Sequence, residues 1–212
     1  MRHYRKNSAG YFKILLRRRS IVFFIGLLAI YFLFRTVTRR TIFKVSLPHV
    51  TPNKVWDFMA DFSNQQILNP GIFKFQVEKD SSGHNEWNYA VRYWEYYENI
   101  PVFTNSALGH FRVYQDNNEG LMIASDHVTC LLSFNIWCLQ TTSKQSFRFE
   151  GTGSLVTEVT DWQCPYILVS VCRGEVETQR SKVFSNLESV RPKRLYLTCK
   201  ATMTLFLISC IR

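Results

Sequence analysis

Residues 50–72 read VTPNKVWDFMADFSNQQILNPGI. Thr51-Pro52 supplies a capping residue followed by proline at the first helical position, where a missing N–H costs nothing. Val55, Phe58, Met59 and Phe62 then recur at i, i+3, i+4 and i+7, which gathers four apolar side chains on one helix face. Asn69-Pro70-Gly71 is turn chemistry and stops the helical stretch. This is how a soluble domain opens its first helix. Yet it follows closely on IVFFIGLLAIYFLF (21–34), a run that a soluble domain would cover.

Working outward, Thr41–Val50 is β-branched and aromatic with partial alternation and reads as a strand. Beyond the turn the pattern changes to period two. Phe73–Glu78 is a short strand, and Asp80–Gly83 reads as a turn. Glu86–Tyr97 is a long aromatic strand with Trp87, Tyr89, Val91 and Tyr93 on one face and Asn88, Arg92 and Trp94 on the other. Gly109–Tyr114 and Leu121–Val128 flank the hairpin loop Asp116–Gly120, Cys130–Thr142 adds a strand or two, and Ser146–Glu150 and Ser154–Trp162 flank Gly151-Thr-Gly153. Val176, Val183, Leu187 and Val190 then fall at near-helical spacing over Glu175–Val190, and Pro192 ends that helix. The order is strand, helix, an antiparallel meander and a helix that can cover its apolar face. It predicts one α+β domain over 41–192.

The net charge of +10 is unevenly placed. Residues 1–44 hold eleven Lys/Arg and no acid, residues 45–192 hold eleven basic and sixteen acidic residues, and residues 193–212 hold four basic residues and no acid. The domain is therefore mildly acidic and the basic charge flanks apolar segments, a membrane pattern rather than a nucleic-acid footprint. Ser20–Phe34 is fifteen uncharged residues, and extension to Thr38 gives nineteen with Arg35 placed to snorkel. Residues 20–38 are read as a single-pass signal anchor behind a basic segment, 1–19. A cleaved signal would need a small-x-small site, which is missing; an interfacial or buried helix is the other alternative. The larger basic count before the run favours a lumenal or extracellular domain, while the absence of any N-x-Ser/Thr sequon pulls the other way. The six cysteines fit disulfides on one side or buried thiols on the other. The tail, 193–212, has an apolar stretch at Leu195–Ile211 broken by Lys200. A second span, an interfacial segment, an alternative-isoform ending and a buried strand all stay open for it.

The opening strand followed by Pro52-Asn-Lys-Val55-Trp56-Asp-Phe-Met-Ala-Asp61-Phe62, with Asn69-Pro70-Gly71 after it, resembles the START-like or helix-grip superfamily, which includes lipid-transfer domains and polyketide cyclases. The resemblance covers roughly 41–190. It implies a curved antiparallel sheet of about six or seven strands around a C-terminal helix, with a cavity between them for a lipid, sterol or quinone-like molecule. The residues that would line it are Trp87, Tyr89, Val91, Tyr93, Phe111, Val113, Phe147, Phe149, Val183 and Leu187. Arg92, His110, Arg112 and Asp126 could anchor a head group if they point inward. A solid aromatic core and solvated strand charges are the plainer alternatives. The shortness of the final helix departs from the family.

No G-x-S-x-G, H-E-x-x-H or C-x-x-C occurs, and no histidine stands at metal-ligand spacing from Cys130 or Cys138, so neither a metal nor a cofactor is expected. Asp126 and His127 are strand neighbours and point to opposite faces. The leading expectation is a membrane-tethered, non-catalytic binder of a hydrophobic ligand, with the bilayer and that ligand as partners and no nucleic acid. A cyclase- or hydrolase-like enzyme is the first rival, favoured if Asp126, His110 or Glu95 converge inside. A protein-interaction module is the second, favoured if no cavity exceeds roughly 300 Å³.

Overall fold

The computed structural model describes residues 5–83, 86–96, 104–130 and 138–190, with side chains from residue 18 onward. The first helix, α1 (Arg5–Phe34), leads directly into β1 (Thr36–Leu47). Next come α2 (Pro52–Ala60), a 3₁₀ turn (Phe62–Asn64) and the single turn α3 (Gln65–Leu68). A meander follows: β2 (Ile72–Ser82), β3 (Glu86–Tyr96), β4 (Thr104–Asp116), β5 (Gly120–Cys130), β6 (Cys138–Glu150) and β7 (Gly153–Pro165). A second 3₁₀ turn (Tyr166–Leu168) opens α4 (Val169–Ser189).

The sheet order is β1-β7-β6-β5-β4-β3-β2 and every neighbouring pair is antiparallel. Each meander strand pairs with the next, and β1 closes the far side by pairing with β7 along its whole length. The predicted strands are thus present but longer. Asp80–Ser82, read as a turn, continues β2 opposite Trp87–Tyr89. The last helix starts six residues before its expected beginning, at Val169 rather than Glu175. The stretch 131–137 and the tail 193–212 lie outside the described residues.

The helix expected to run through 20–38 is shorter at its C-terminal end. The helix ends at Phe34, and Thr36–Thr38 already pair with Pro165–Gln163 of β7. Thr-Val-Thr is β-branched and finds a full ladder there, which outweighs extending the helix. The apolar part of α1 is therefore fifteen residues, roughly 22 Å at 1.5 Å per residue, against a hydrocarbon core of roughly 30 Å. Among the described residues no helix is long and apolar enough to cross a membrane. Every side chain from Arg18 to Phe34 is nonetheless exposed.

The core lies between the concave sheet face and the α2–α3 segment. Val55, Phe58 and Met59 of α2 are buried against it, and Phe62 packs edge-on to Phe75 and Phe111. Tyr89 stacks on Phe111 with ring centroids 4.8 Å apart, and its hydroxyl donates to the Ala60 carbonyl at 2.7 Å. Each fully buried large apolar side chain stabilises by roughly 1.5–3 kcal/mol. Exposed ion pairs such as Arg40–Asp161, at 2.7 Å, contribute roughly 0–1 kcal/mol, so packing holds the sheet. By contrast α4 buries only Val183, Phe184 and Leu187.

At Gly153, where β7 begins, an added Cβ would meet the Leu47 carbonyl oxygen far inside contact distance, with Pro48 also close. Backbone cannot yield there as a side chain can. Gly153→Ala is expected to lower stability by about 1–3 kcal/mol in urea unfolding. Gly151→Ala, with open space around its Cβ and a positive φ, is the comparison in which backbone strain acts without a clash.

Candidate functional site

Strand alternation decides what faces inward. On β3 the face that carries Trp87, Tyr89, Val91 and Tyr93 continues one step to Glu95, which is buried. On β5 the same parity runs Ile123, Ser125, His127, and on β7 Val156, Glu158, Thr160, Trp162. The inner face is thus aromatic near the β4–β5 turn and polar toward the other end, beneath α4. A cavity of about 50 Å³ sits at that polar end, between Tyr93, Glu95, Phe111, Ser125 and His127 of the sheet and Gln179, Arg180 and Val183 of α4. It has the volume of a few water molecules and is far smaller than a lipid pocket.

Two hydrogen-bonded groups line it. In the first, the Tyr93 hydroxyl lies 3.0 Å from His127 Nδ1, and His127 Nε2 lies 2.9 Å from Ser125 Oγ. Burial pushes the imidazole down to about 3, with Arg180 and His110 adding to the effect, so it is neutral at pH 7. Burial likewise pushes the Tyr93 phenol well above its ordinary value, so the hydroxyl keeps its proton. In the second group, Asn69 and Gln179 donate to Glu95 Oε2 at 3.4 and 2.9 Å, and Asn105 donates to Oε1 at 3.2 Å. Burial raises the Glu95 pKa, while Asn105, Arg180 and Gln179 pull it back in part.

Deeper, on β7, Glu158 is fully buried. Ser143 and Thr160 donate to its Oε1 at 2.6 and 3.3 Å, and Arg180 Nη1 reaches the same oxygen at 3.6 Å. Its other oxygen has no hydrogen-bond partner among the described residues. A buried carboxylate needs such compensation, because removal of a charge from water costs several kcal/mol. Adjacent residues of α4, Gln179 and Arg180, therefore reach carboxylates on opposite halves of the sheet.

Of the predicted lining residues, Tyr93, Phe111 and Val183 border the cavity. Tyr89, Val91, Val113, Phe147 and Leu187 are buried in packed core, and half-buried Trp87 turns its indole N–H to Asp80. Phe149 is 72% exposed at the end of β6 and is corrected to a surface residue. The four polar anchors are also corrected. Arg92 pairs with Glu78 and Arg112 with Glu86, while His110 and Asp126 oppose each other across β4 and β5 with exposed side chains. All four have the parity opposite to Tyr93, so they belong to the convex face. The inner polar residues were accessible by the same rule, carried past Tyr93 and onto β5 and β7.

His127 makes stability pH-dependent in a definite direction. The unfolded chain takes up a proton on this side chain below about 6.5, whereas the folded chain excludes it until about 3. The unfolded state binds more protons in that window, so acidification destabilises the fold by at most about 1.4 kcal/mol per pH unit. Glu95 acts in the opposite sense, since its raised pKa lets the native state hold a proton the unfolded chain lacks. His127→Gln removes the first effect alone. Between pH 7 and 5 the variant is expected to lose about 2 kcal/mol less stability than the parent in urea titrations. Parallel pH profiles would contradict a buried neutral imidazole.

No family model matches the chain, and no curated protein matches it by sequence. Solved structures do. The Zhui aromatase/cyclase from Streptomyces sp. R1128 superposes with a TM-score of 0.53 at 11% identity, covering 78% of this chain and 98% of its own. Ara h 8.0201 gives 0.50 at 14% identity over 72% and 97%, and norcoclaurine synthase from Thalictrum flavum 0.50 at 12% over 73% and 87%. At these identities what is shared is the fold: a curved seven-stranded antiparallel sheet and a C-terminal helix in the helix-grip arrangement.

Proposed function

We propose that the chain is a membrane-tethered binder of a small hydrophobic molecule with a polar end, taken up between the sheet and α4 without catalysis. The observation that carries this is the polar group Tyr93–His127–Ser125 with Glu95 at one end of an aromatic interior. Such a layout suits a ligand whose body is apolar and whose hydroxyl, carbonyl or amide is read by hydrogen bonds. Solved structures of the same fold include an aromatase/cyclase and a norcoclaurine synthase, which supports use of this interior for small molecules. At about 50 Å³ the cavity must widen to admit such a guest, and α4 is the element to move. It contributes three buried side chains, and Val171 near its start is 56% exposed.

The tether is α1. Its fifteen uncharged residues expose Ile, Val, Phe and Leu on all sides, and arginines 17–19 and 35 bracket them. A run short of the full hydrocarbon thickness is accommodated by local thinning and by snorkelling of the flanking arginines. The domain then faces the lumenal or extracellular side, which agrees with disulfides between Cys130 and Cys138 and between Cys164 and Cys172.

Two other readings each have one observation behind them. The small cavity suits a filled interaction module, and the buried Glu95 with its raised pKa suits acid–base chemistry. One experiment separates all three. The full chain in detergent is titrated with fluorescent fatty acids, sterols and alkylphenols, and the ligands are recovered and weighed. Saturable binding of intact ligand is expected, weakened about tenfold by Tyr93→Phe for hydroxyl- or carbonyl-bearing ligands. No binding supports the interaction module, and a changed ligand mass supports the enzyme.

A further inference from the structure

Between Cys164 and Cys172 the chain reads PYILVSV, seven residues without a charge, closed by a disulfide. Pro165 ends β7 and is buried, Tyr166–Leu168 form the 3₁₀ turn and Val169–Val171 open α4, with every side chain from Tyr166 to Val171 except half-buried Val169 turned to the surface. Tyr166 is 53%, Ile167 50% and Val171 56% exposed, with Leu168 at 37%. Such side chains clustered on a stapled loop are an apolar patch that needs an occupant.

Three features on this face name one. The loop adjoins the end of α1: the Tyr166 N–H donates to the Arg35 carbonyl at 3.0 Å, which sets the exposed apolar residues of the loop next to those of the helix. Exposed Arg35, Arg39 and Arg173 flank the loop, and no Asp or Glu occurs from 162 to 174 or anywhere before Asp57. An apolar surface with a basic border fits anionic headgroups over acyl chains. The apolar part of α1 is also roughly 8 Å shorter than the hydrocarbon core, which draws whatever follows Phe34 down to the interface.

We propose that the loop 166–171 is a second membrane contact, pressed into the headgroup region of the bilayer that seats α1. The proposal rests on the tether reading above. With α4 starting inside this loop, the helix that closes the cavity begins at the lipid surface, where an apolar ligand is dissolved. The occupant is lipid, not a protein partner.

The full chain is reconstituted into phosphatidylcholine–phosphatidylserine vesicles containing a lipid with a diazirine in its acyl tail. After photolysis the adducts are mapped by mass spectrometry. Adducts are expected on 166–171 as well as on 20–34, and none in the β4–β5 turn, 116–120. Labelled α1 with a bare loop overturns the second contact and leaves the tether standing, including the case in which the loop is covered by protein instead. Absence of adducts on both overturns the two together. Ile167→Ser with Leu168→Ser, at exposed positions that leave the circular dichroism unchanged, is expected to abolish loop adducts while α1 adducts persist. Loop adducts at the parent level in that variant also overturn the proposal.

Discussion

Two carboxylates lie beneath α4, Glu95 on β3 and Glu158 on β7, and the placement of that helix depends on them. Gln179 and Arg180 are adjacent on α4, and each reaches one carboxylate. The buried apolar side chains of α4 are Val183, Phe184 and Leu187 in its second half, so its middle is positioned by polar pairs and its start by the Cys164–Cys172 disulfide rather than by a greasy stripe. Loss of Arg180 would remove the one cation among the described residues that faces buried Glu158, leaving Ser143 and Thr160 to satisfy its carboxyl group, and such a loss is strongly destabilising. A helix held in this way has little apolar area to surrender, which is what the proposed uptake of a guest beneath it requires.

That division organises the interior. Toward the β4–β5 turn, Tyr89, Phe111 and Phe62 pack on one another as solid core and Tyr89 is tied to Ala60. Toward α4 the same strand faces carry Glu95, Ser125, His127 and Glu158, and the cavity sits at the border. The pairing of β1 with β7 fixes Arg35 and Tyr166 side by side, so the end of α1 and the beginning of α4 meet at one edge of the sheet. In the proposed account, tether, docking loop and the helix over the cavity occupy a single edge.

Much of the fold could be read from residue order. The i, i+3, i+4, i+7 spacing of Val55, Phe58, Met59 and Phe62 and the alternation from Trp87 to Tyr93 placed α2 and β3 correctly, because each has a single apolar face. Boundaries were harder. Thr36–Thr38 look like the end of an apolar helix until β7 supplies a ladder, and such pairing depends on residues more than a hundred positions away. The start of α4 was hidden because Tyr166–Val171 is apolar without helical periodicity, its side chains being turned outward. The site was partly legible. Its aromatic members follow from β3, but the charges that stand out in the strands, Arg92, His110, Arg112 and Asp126, belong to the convex face. Glu158 and His127 are inward by parity, and an isolated charge in an alternating strand is ordinarily assigned to solvent.

Native mass spectrometry of the full chain, purified under conditions that preserve non-covalent complexes, bears most directly on whether this interior takes a guest. The account predicts one bound molecule per chain, with an apolar body and a hydroxyl, carbonyl or amide, recovered chemically unchanged. A folded chain that arrives empty and stays empty when offered lipids, sterols and quinones would contradict it.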